Sequence, residues 1–205
     1  MRNLFVKRVF DLLAVLTTAP LWLPVMGGVA LLVRWRLGAP VFFYQVRPGH
    51  REVPFEMLKF RTMLDLPDGQ GGQRPDRDRL TPFGRWLRST SLDELPELLN
   101  VLRGEMSLVG PRPLLMRYLA RYSLEQRRRH EVPPGVTGWA QINGRNCINW
   151  VERFKLDIWY VDNHTLQRDI TILFRTVVRV LQRRDINTAD NSTMPEFGTD
   201  EVEPM

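Results

Sequence analysis

The chain is 205 residues long, which allows one domain of roughly 100 to 200 residues with an appendage. Its 29 basic and 23 acidic side chains leave +6, yet residues 185–205 hold six acids and no base, so residues 1–184 carry +12, and every base but Lys7, Lys59 and Lys155 is Arg. A single cysteine, Cys147, excludes an internal disulfide and a Cys-based zinc site and is compatible with a reducing compartment.

A mean hydropathy of −0.26 conceals residues 12–33, which are 22 consecutive positions without a charge, preceded by Lys7, Arg8 and Asp11 and followed by Arg34 and Arg36. At about 1.5 Å per residue, a straight helix of that length crosses a hydrocarbon core of about 30 Å. Pro20 and Pro24 interrupt the ladder twice within about one turn, and Gly27 and Gly28 loosen the next. Each half of about 8 to 10 residues then covers only about half a bilayer. Both flanks are basic, and basic residues favour the cytoplasmic face, so a spanning helix would carry one cluster across. A re-entrant helix that bends near Pro20 to Pro24 and returns satisfies both flanks; a Pro-kinked spanning helix is the alternative. A cleaved signal peptide fits less well, because no small-x-small site precedes a polar start.

Beyond this segment, 38–45 and 54–61 read as strands around the Arg47-Pro-Gly turn, giving a hairpin over 41–61. Residues 65–79 are rich in Gly, Pro, Asp and Arg and read as an exposed loop. Short helical patterns follow at 82–88 and 92–102, then a Gly/Pro-rich connection at 104–113. The spacing predicts a helix over 114–129, a long loop over 133–146, and helices near 150–161 and 170–181. In the last of these, Ile170, Leu173, Phe174, Val177, Val178 and Leu181 form one stripe with Arg residues beside it. The stripe suits either a headgroup boundary or an ordinary core-packed helix. The class is therefore α+β and mainly helical: an N-terminal re-entrant membrane helix over 1–36, a body over 37–184 made of a short hairpin and several short amphipathic helices joined by long loops, and a flexible acidic tail over 185–205. Loops this long between short helices point to a site assembled from loops.

The chemistry-bearing residues lie in those loops. In Ser91-Leu-Asp-Glu-Leu-Pro, Ser91 and Glu94 fit a capping box that puts Asp93 in the first turn. With Asp93 as the cap instead, Pro96 falls where its missing N–H is not needed. Either register holds Asp93 near the positive helix end, where an ionised carboxylate is favoured. Such a carboxylate can attack phosphorus, and its neighbour Glu94 can help hold a divalent cation; the same pair also serves as an ordinary cap. Gly110-Pro111-Arg112-Pro113 fixes an Arg between two prolines, which is either a built site or a rigid turn. The 133–146 loop offers Gly backbone, the Gln141 amide, a Trp and Arg145, a mixture able to cradle phosphate and contact a base. Lys59 and Arg61 end the second strand, and Arg88 precedes the acidic pair. So many bases around two acids suit a dianionic or trianionic substrate, since the Arg fork matches phosphate; a coding bias toward Arg would give the same count.

In order along the chain stand Arg8-Val-Phe-Asp11, Arg47-Pro-Gly, Lys59-Phe-Arg-Thr-Met, Thr81-Pro-Phe-Gly-Arg-Trp-Leu-Arg88, Ser91-Leu-Asp-Glu-Leu-Pro, Met106-Ser-Leu-Val-Gly-Pro-Arg-Pro113 and Pro134-Gly-Val-Thr-Gly-Trp-Ala-Gln-Ile-Asn-Gly-Arg145. Together they resemble the bacterial sugar transferases, the monotopic polyprenyl-phosphate phosphoglycosyl transferases, over about residues 5 to 182, in a small form that lacks extra N-terminal helices. The resemblance implies a ping-pong reaction on the cytoplasmic face of the bacterial inner membrane, the first membrane step of glycoconjugate synthesis. Asp93 would attack the sugar-linked phosphate of a UDP-sugar, UMP would leave, and polyprenyl (undecaprenyl) phosphate would then take the phosphosugar. It implies Glu94 as the partner carboxylate, Mg2+ held at Asp93 and Glu94, and Lys59, Arg61, Arg88, Arg112, Gln141 and Arg145 as substrate and phosphate contacts. Asp157 falls at a position the family keeps acidic, and a structural salt bridge accounts for it equally. The family's membrane-bend proline corresponds to Pro24, with Pro20 an additional break here. The competing readings are a membrane-associated glycosyltransferase that moves sugar alone and releases UDP, and a membrane-anchored binder of acidic lipid or nucleic acid. No nucleic-acid motif supports the second of these, so the expected partners are a UDP-sugar, polyprenyl phosphate and membrane lipid.

Overall fold

In the computed structural model, which describes residues 3–69, 72, 74–144, 148–182 and 197, Asn3 opens the first helix. Its side-chain oxygen accepts from the backbone N–H groups of Phe5 (2.9 Å) and Val6 (3.3 Å), satisfying two donors that a helix start leaves open. This helix, α1 (Leu4–Thr17), is followed after Thr18 alone by α2 (Ala19–Leu37), and the pair is bent by 65°. The bend is closed locally. The hydroxyls of Thr17 and Thr18 donate back to the carbonyls of Leu13 (2.7 Å) and Ala14 (2.6 Å), and Trp22 Nε1 reaches across to Val15 O at 2.9 Å.

The turn therefore lies just ahead of Pro20, not over the stretch from Pro20 to Pro24. Pro20 occupies the first turn of α2, where a missing N–H costs nothing and the fixed φ favours helix entry. Pro24 sits inside a continuous α2, removing only the donor that would serve the Pro20 carbonyl. Among the described residues no single helix is long and apolar enough to cross a membrane. The outer faces of the pair nevertheless expose Phe5, Leu13, Leu16, Leu21, Leu31 and Trp35, more contiguous apolar surface than a water-facing helix pair carries.

The hairpin forms as the sequence predicts. Strands β1 (Phe42–Pro48) and β2 (Pro54–Phe60) are antiparallel, with Phe42 opposite Phe60 and Pro48 opposite Pro54. Residues 65–79, expected as loop throughout, end in the short helix α3 (Asp76–Arg79), after which α4 (Pro82–Ser89) is capped by Thr81 Oγ1 accepting from Gly84 N at 3.0 Å. A 3-10 turn (Leu92–Glu94) leads into α5 (Glu97–Arg103). Buried Asn100 of α5 accepts from Leu58 N (3.0 Å) and donates to Glu56 O (2.7 Å). One side chain thus completes the open edge of β2 and fixes α5 against the strand that carries Lys59.

Three further predicted stretches are corrected. Residues 114–129 are not one helix but a 3-10 segment (Met116–Arg121), then α6 (Leu124–Arg127) and a second 3-10 segment (Arg128–Glu131). Ser123 breaks the run by forming a capping box with Gln126. The 104–113 and 133–146 connections hold strands β3 (Ser107–Val109) and β4 (Gly135–Thr137), paired in parallel, and helix α7 (Trp139–Asn143). Gly110 and Gly135 allow the approach: a Cβ on Gly135 would lie 2.0 Å from Gly110 N. The last helices, α8 (Trp150–Asn163) and α9 (Leu166–Gln182), follow the predicted periodicity. In α9, Asp169 and Ile172 face inward while Ile170, Phe174 and Val177 of the predicted stripe point out. The tail expected to be flexible lies outside the described residues except for Phe197, which is buried among Tyr118, Tyr122, Trp150 and Phe154 at ring-centroid distances of 5.1–5.8 Å.

Helix α1 is built into this body by its polar residues. Lys7 Nζ pairs with Asp169 Oδ2 at 2.6 Å, and Tyr160 Oη donates to the other Asp169 oxygen at 2.7 Å. Asp11 accepts from Ser107 Oγ (2.7 Å) and Leu108 N (3.3 Å). Arg8 donates to the carbonyls of Val101 and Leu102 at the end of α5, where a cation meets the negative helix end. Lys7 and Asp169 are both buried, so removing one partner strands the other. Lys7→Met should lower unfolding stability by about 3–5 kcal/mol, measured by thermal or denaturant unfolding in detergent, and adding Asp169→Asn should recover part of the loss.

Candidate active site

The acidic pair sits where β2, the Leu92–Glu94 turn and the Pro111-Arg112-Pro113 loop meet. Ser91 adopts a left-handed conformation (φ 56°) with no side-chain capping bond, so the expected capping box is absent. Pro96 has no N–H to give the Leu92 carbonyl, and Leu95 N serves it instead at 3.2 Å. That substitution makes the turn 3-10 and delays α5, whose cap is Pro96 itself. Asp93 thus lies in the turn before the helix, buried, and Glu94 is released to point at cations.

Glu94 accepts from Lys59 Nζ at 2.9 Å and from both arms of the Arg112 fork. Lys59 also lies 3.3 Å from an oxygen of Glu97, and Arg112 lies 4.0 Å from it. Burial alone would raise the Glu94 carboxyl, but the charges of Arg112 and Lys59 outweigh it and hold Glu94 down at about 2. Asp93 goes the other way: burial, then the charge of Glu94, push it up to about 6 against the pull of Lys59, Arg112 and Arg88. Glu97 rises to about 7 for the same two reasons, against the pull of Lys59 and Arg112. Neighbouring carboxylates with separated affinities for protons are how one site holds distinct acid, base and nucleophile roles.

The support behind Arg112 is equally buried. Arg129 donates to the Arg112 carbonyl and to Asp157 Oδ2, each at 2.7 Å, and Asp157 and Arg129 are both enclosed. Asp157 thus orders the Pro-Arg-Pro loop through Arg129 and makes no contact with the acidic pair. Beside Glu94, a cavity of about 160 Å³ opens toward α7 and α9, with Gln141 on its wall.

No cluster of three or more His, Cys, Asp or Glu suited to a metal occurs among the described residues. Magnesium at phosphate sites uses one or two carboxylates and takes its remaining oxygens from substrate phosphates and water. Adjacent Asp93 and Glu94, the latter held ionised, fit that donor set.

The bacterial sugar transferase family matches residues 2–183. The chain belongs to this family. It is 51% identical over 199 residues to the sugar transferase EpsL of Bacillus subtilis (strain 168), covering 95% of this chain and 96% of that one. It is 42% identical over 197 residues to the UDP-glucose:undecaprenyl-phosphate glucose-1-phosphate transferase of Caulobacter vibrioides, covering 91% of this chain and 71% of that protein. The undecaprenyl-phosphate galactose phosphotransferase of Salmonella typhimurium is 38% identical over 196 residues, covering 87% of this chain and 41% of that protein.

Within this bacterial sugar transferase, Asp93, Glu94, Lys59 and Arg112 come together as the sequence predicts, with Arg88 close enough for its charge to act on Asp93 while its Nε donates to Thr62 Oγ1 at 3.0 Å. Arg61 does not join them: it donates to the Leu37 carbonyl and closes the end of α2. Gln141 lines the cavity beside Glu94 and donates to Val136 O at 3.1 Å. Arg145 lies outside the described residues. Sequence reasoning misses Glu97, although its position three residues after Glu94 puts it within reach of the same cations. Carboxyl 13C NMR of the transferase should show Asp93 titrating near pH 6 and Glu97 near pH 7, with Glu94 unchanged down to pH 4. Removing a cation disfavours the charged carboxylate, so Lys59→Met should move Glu97 higher still.

Proposed function

We propose that this chain moves a phosphosugar from a UDP-sugar to polyprenyl phosphate through a covalent phosphosugar on Asp93, releasing UMP. The observation that carries the reading is the division of labour between the two adjacent acids. Both oxygens of Glu94 are engaged by Lys59 and Arg112, and a carboxylate held near a pKa of 2 is a weak nucleophile. Asp93, raised to about 6, is more basic yet mostly ionised at neutral pH. An Asp93 oxygen attacks the sugar-linked phosphorus, the bond to the bridging oxygen breaks, and UMP departs with that oxygen. An oxygen of polyprenyl phosphate then attacks the same phosphorus and Asp93 leaves as carboxylate, so no proton need be gained or lost. Lys59, Arg88 and Arg112 oppose the diphosphate charge. Asp93 and Glu94 would hold Mg2+, which when bound neutralises diphosphate. The names of the Caulobacter and Salmonella relatives support the same donor and acceptor classes.

The attachment of α1 and α2 supports re-entrant insertion at the cytoplasmic face. Lys7 and Arg8 are bonded to α9 and α5, and Leu37 at the far end is bonded to Arg61 of the same body. Both ends of the pair are therefore held on the body, Val15 and Trp22 at the bend pack inward against it, and the outer face with Leu13, Leu16 and Leu21 is the surface that would dip into the membrane and return. The outward Phe174 and Val177 of α9 suit the headgroup boundary. A charged nucleotide and a lipid phosphate would meet at that height.

Incubation with a panel of UDP-sugars and undecaprenyl phosphate should release UMP. Accumulation of UDP would assign the alternative glycosyltransferase reaction. Asp93→Asn should abolish both UMP release and the covalent adduct seen by mass spectrometry, and full turnover in that variant would remove Asp93 from the mechanism. The acid limb of the rate against pH should have its midpoint near 6, where Asp93 takes up its proton.

A further inference from the structure

The span shared with the family ends at residue 183, yet beyond it one side chain is seated on the body. Phe197 is 9% exposed and lies in a pocket of four rings, its centroid 5.1 Å from Phe154, 5.5 Å from Trp150 and 5.8 Å from both Tyr118 and Tyr122. The interplanar angles run from 47° to 70°, the tilted and edge-on arrangements that aromatic pairs prefer over a face-to-face sandwich. The backbone is held as well, because Arg121 donates to the Phe197 carbonyl. Residues 185–205 carry six acids and no base, while the cations at the pocket are Arg117 and Arg121 over the Tyr118 ring and Arg153 over the Trp150 ring. An acidic segment with one aromatic side chain thus meets an aromatic pocket with a cationic edge, so shape and charge agree.

Two of the four rings also hold Arg129. Its guanidinium lies over Tyr122 at 5.9 Å and over Phe154 at 5.6 Å, and its Nη1 donates to Tyr122 Oη at 3.2 Å. The other arm, Nη2, donates to the Arg112 carbonyl and to Asp157 Oδ2, each at 2.7 Å. A ring in a close-packed interior keeps its place because its neighbours leave it no room, and Phe197 is such a neighbour for both Tyr122 and Phe154. We infer that Phe197 is a positioning residue: seated in this pocket, it holds Tyr122 and Phe154 against Arg129 and so fixes the loop that presents Arg112 to Glu94. Its bearing on turnover rests on the reaction proposed above, in which Arg112 opposes the diphosphate of the UDP-sugar. Emptying the pocket leaves a void into which the rings relax. Arg112 then keeps its charge and loses its fixed direction, and the substrate affected is the donor whose diphosphate it meets.

Full-length protein in nanodiscs allows the seat and its reach to be measured separately. Hydrogen–deuterium exchange is compared for wild type, Phe197→Ala and Phe197→Leu. In Phe197→Ala, exchange should rise by about threefold or more over 116–122 and 150–155, which form the pocket, and also at Gly110 and Arg112, the exchangeable amides of the Pro-Arg-Pro loop. With a UDP-sugar that the wild type turns over, the KM for that donor should rise by about fivefold while the KM for undecaprenyl phosphate stays within about twofold of wild type. Phe197→Leu refills most of the pocket and should recover most of both effects. Unchanged exchange over 116–122 and 150–155 in Phe197→Ala would show that Phe197 is not seated there and overturn the inference. Faster exchange at the pocket alone, with both KM values unchanged, would reduce the contact to general stabilisation and overturn the positioning role, as would a lower kcat at unchanged KM values, the mark of less folded enzyme. Failure of Phe197→Leu to recover either effect would remove packing against Tyr122 and Phe154 as the cause. A wild type that releases no UMP from any UDP-sugar would sink the proposed reaction, and exchange at Arg112 would still decide whether Phe197 positions it.

Discussion

The arrangement of the site depends on one half-buried carboxylate. Glu94 is met by Lys59 from β2 and by Arg112 from the Pro-Arg-Pro loop, so three segments distant in sequence converge on two oxygen atoms. A half-buried ion pair contributes little net stability once desolvation is counted. Its value here is positional, because a fork on a carboxylate fixes distance and direction together. Everything behind it serves that geometry: Asn100 holds α5 to β2, and the Asp157–Arg129 pair holds the backbone that carries Arg112. Asp93 gains its raised proton affinity as a by-product, by sitting buried beside a neighbour that is kept charged.

The same body grips α1 at two levels. The buried bonds of Asp11 to β3 and of Lys7 to α9 lie directly beneath the strand that leads into Gly110 and the Pro-Arg-Pro loop. A helix whose outer face is apolar and whose inner face carries charges at positions 7 and 11 cannot shift against the body without unpairing buried ions. The seating of α1 and the strand that leads to Arg112 therefore share one set of contacts.

The sequence makes some of this legible and hides the rest for identifiable reasons. The hairpin, α8 and α9 are long enough for their periods to show, and they form where expected. Strands β3 and β4 have three residues each, too few for alternation to be read, and their pairing joins segments that are far apart in the chain. The capping box at Ser91 is a sound local inference that loses to tertiary electrostatics, because Glu94 is better served by two cations than by a backbone N–H. Arg61 resembles a phosphate ligand because strand alternation would put it on the face of Lys59, but β2 ends at Phe60, alternation no longer holds at Arg61, and its guanidinium serves the Leu37 carbonyl at the end of α2. The bend is displaced from its expected place because a proline reads most simply as the break itself, whereas in the first turn of a helix it marks where a new helix begins.

The proton affinity of Asp93 bears on why a carboxylate can serve as a way-station between two phosphates. In a ping-pong exchange the same group must attack in the first step and leave in the second. A carboxylate at an ordinary pKa of about 4 leaves easily but attacks weakly, and a strongly basic group does the reverse. Phosphate monoesters have a second pKa of about 6, so the phosphate of UMP that departs and the polyprenyl phosphate that arrives are both of that basicity. Burial and the charge of Glu94 raise Asp93 above an ordinary aspartate, which moves it toward that basicity. In the proposed exchange a phosphosugar on Asp93 would pass between oxygen nucleophiles closer in basicity than an ordinary carboxylate allows. The charge held on Glu94 by Lys59 and Arg112 contributes to that rise, so the pair of cations that positions the site also acts on the proton affinity of Asp93.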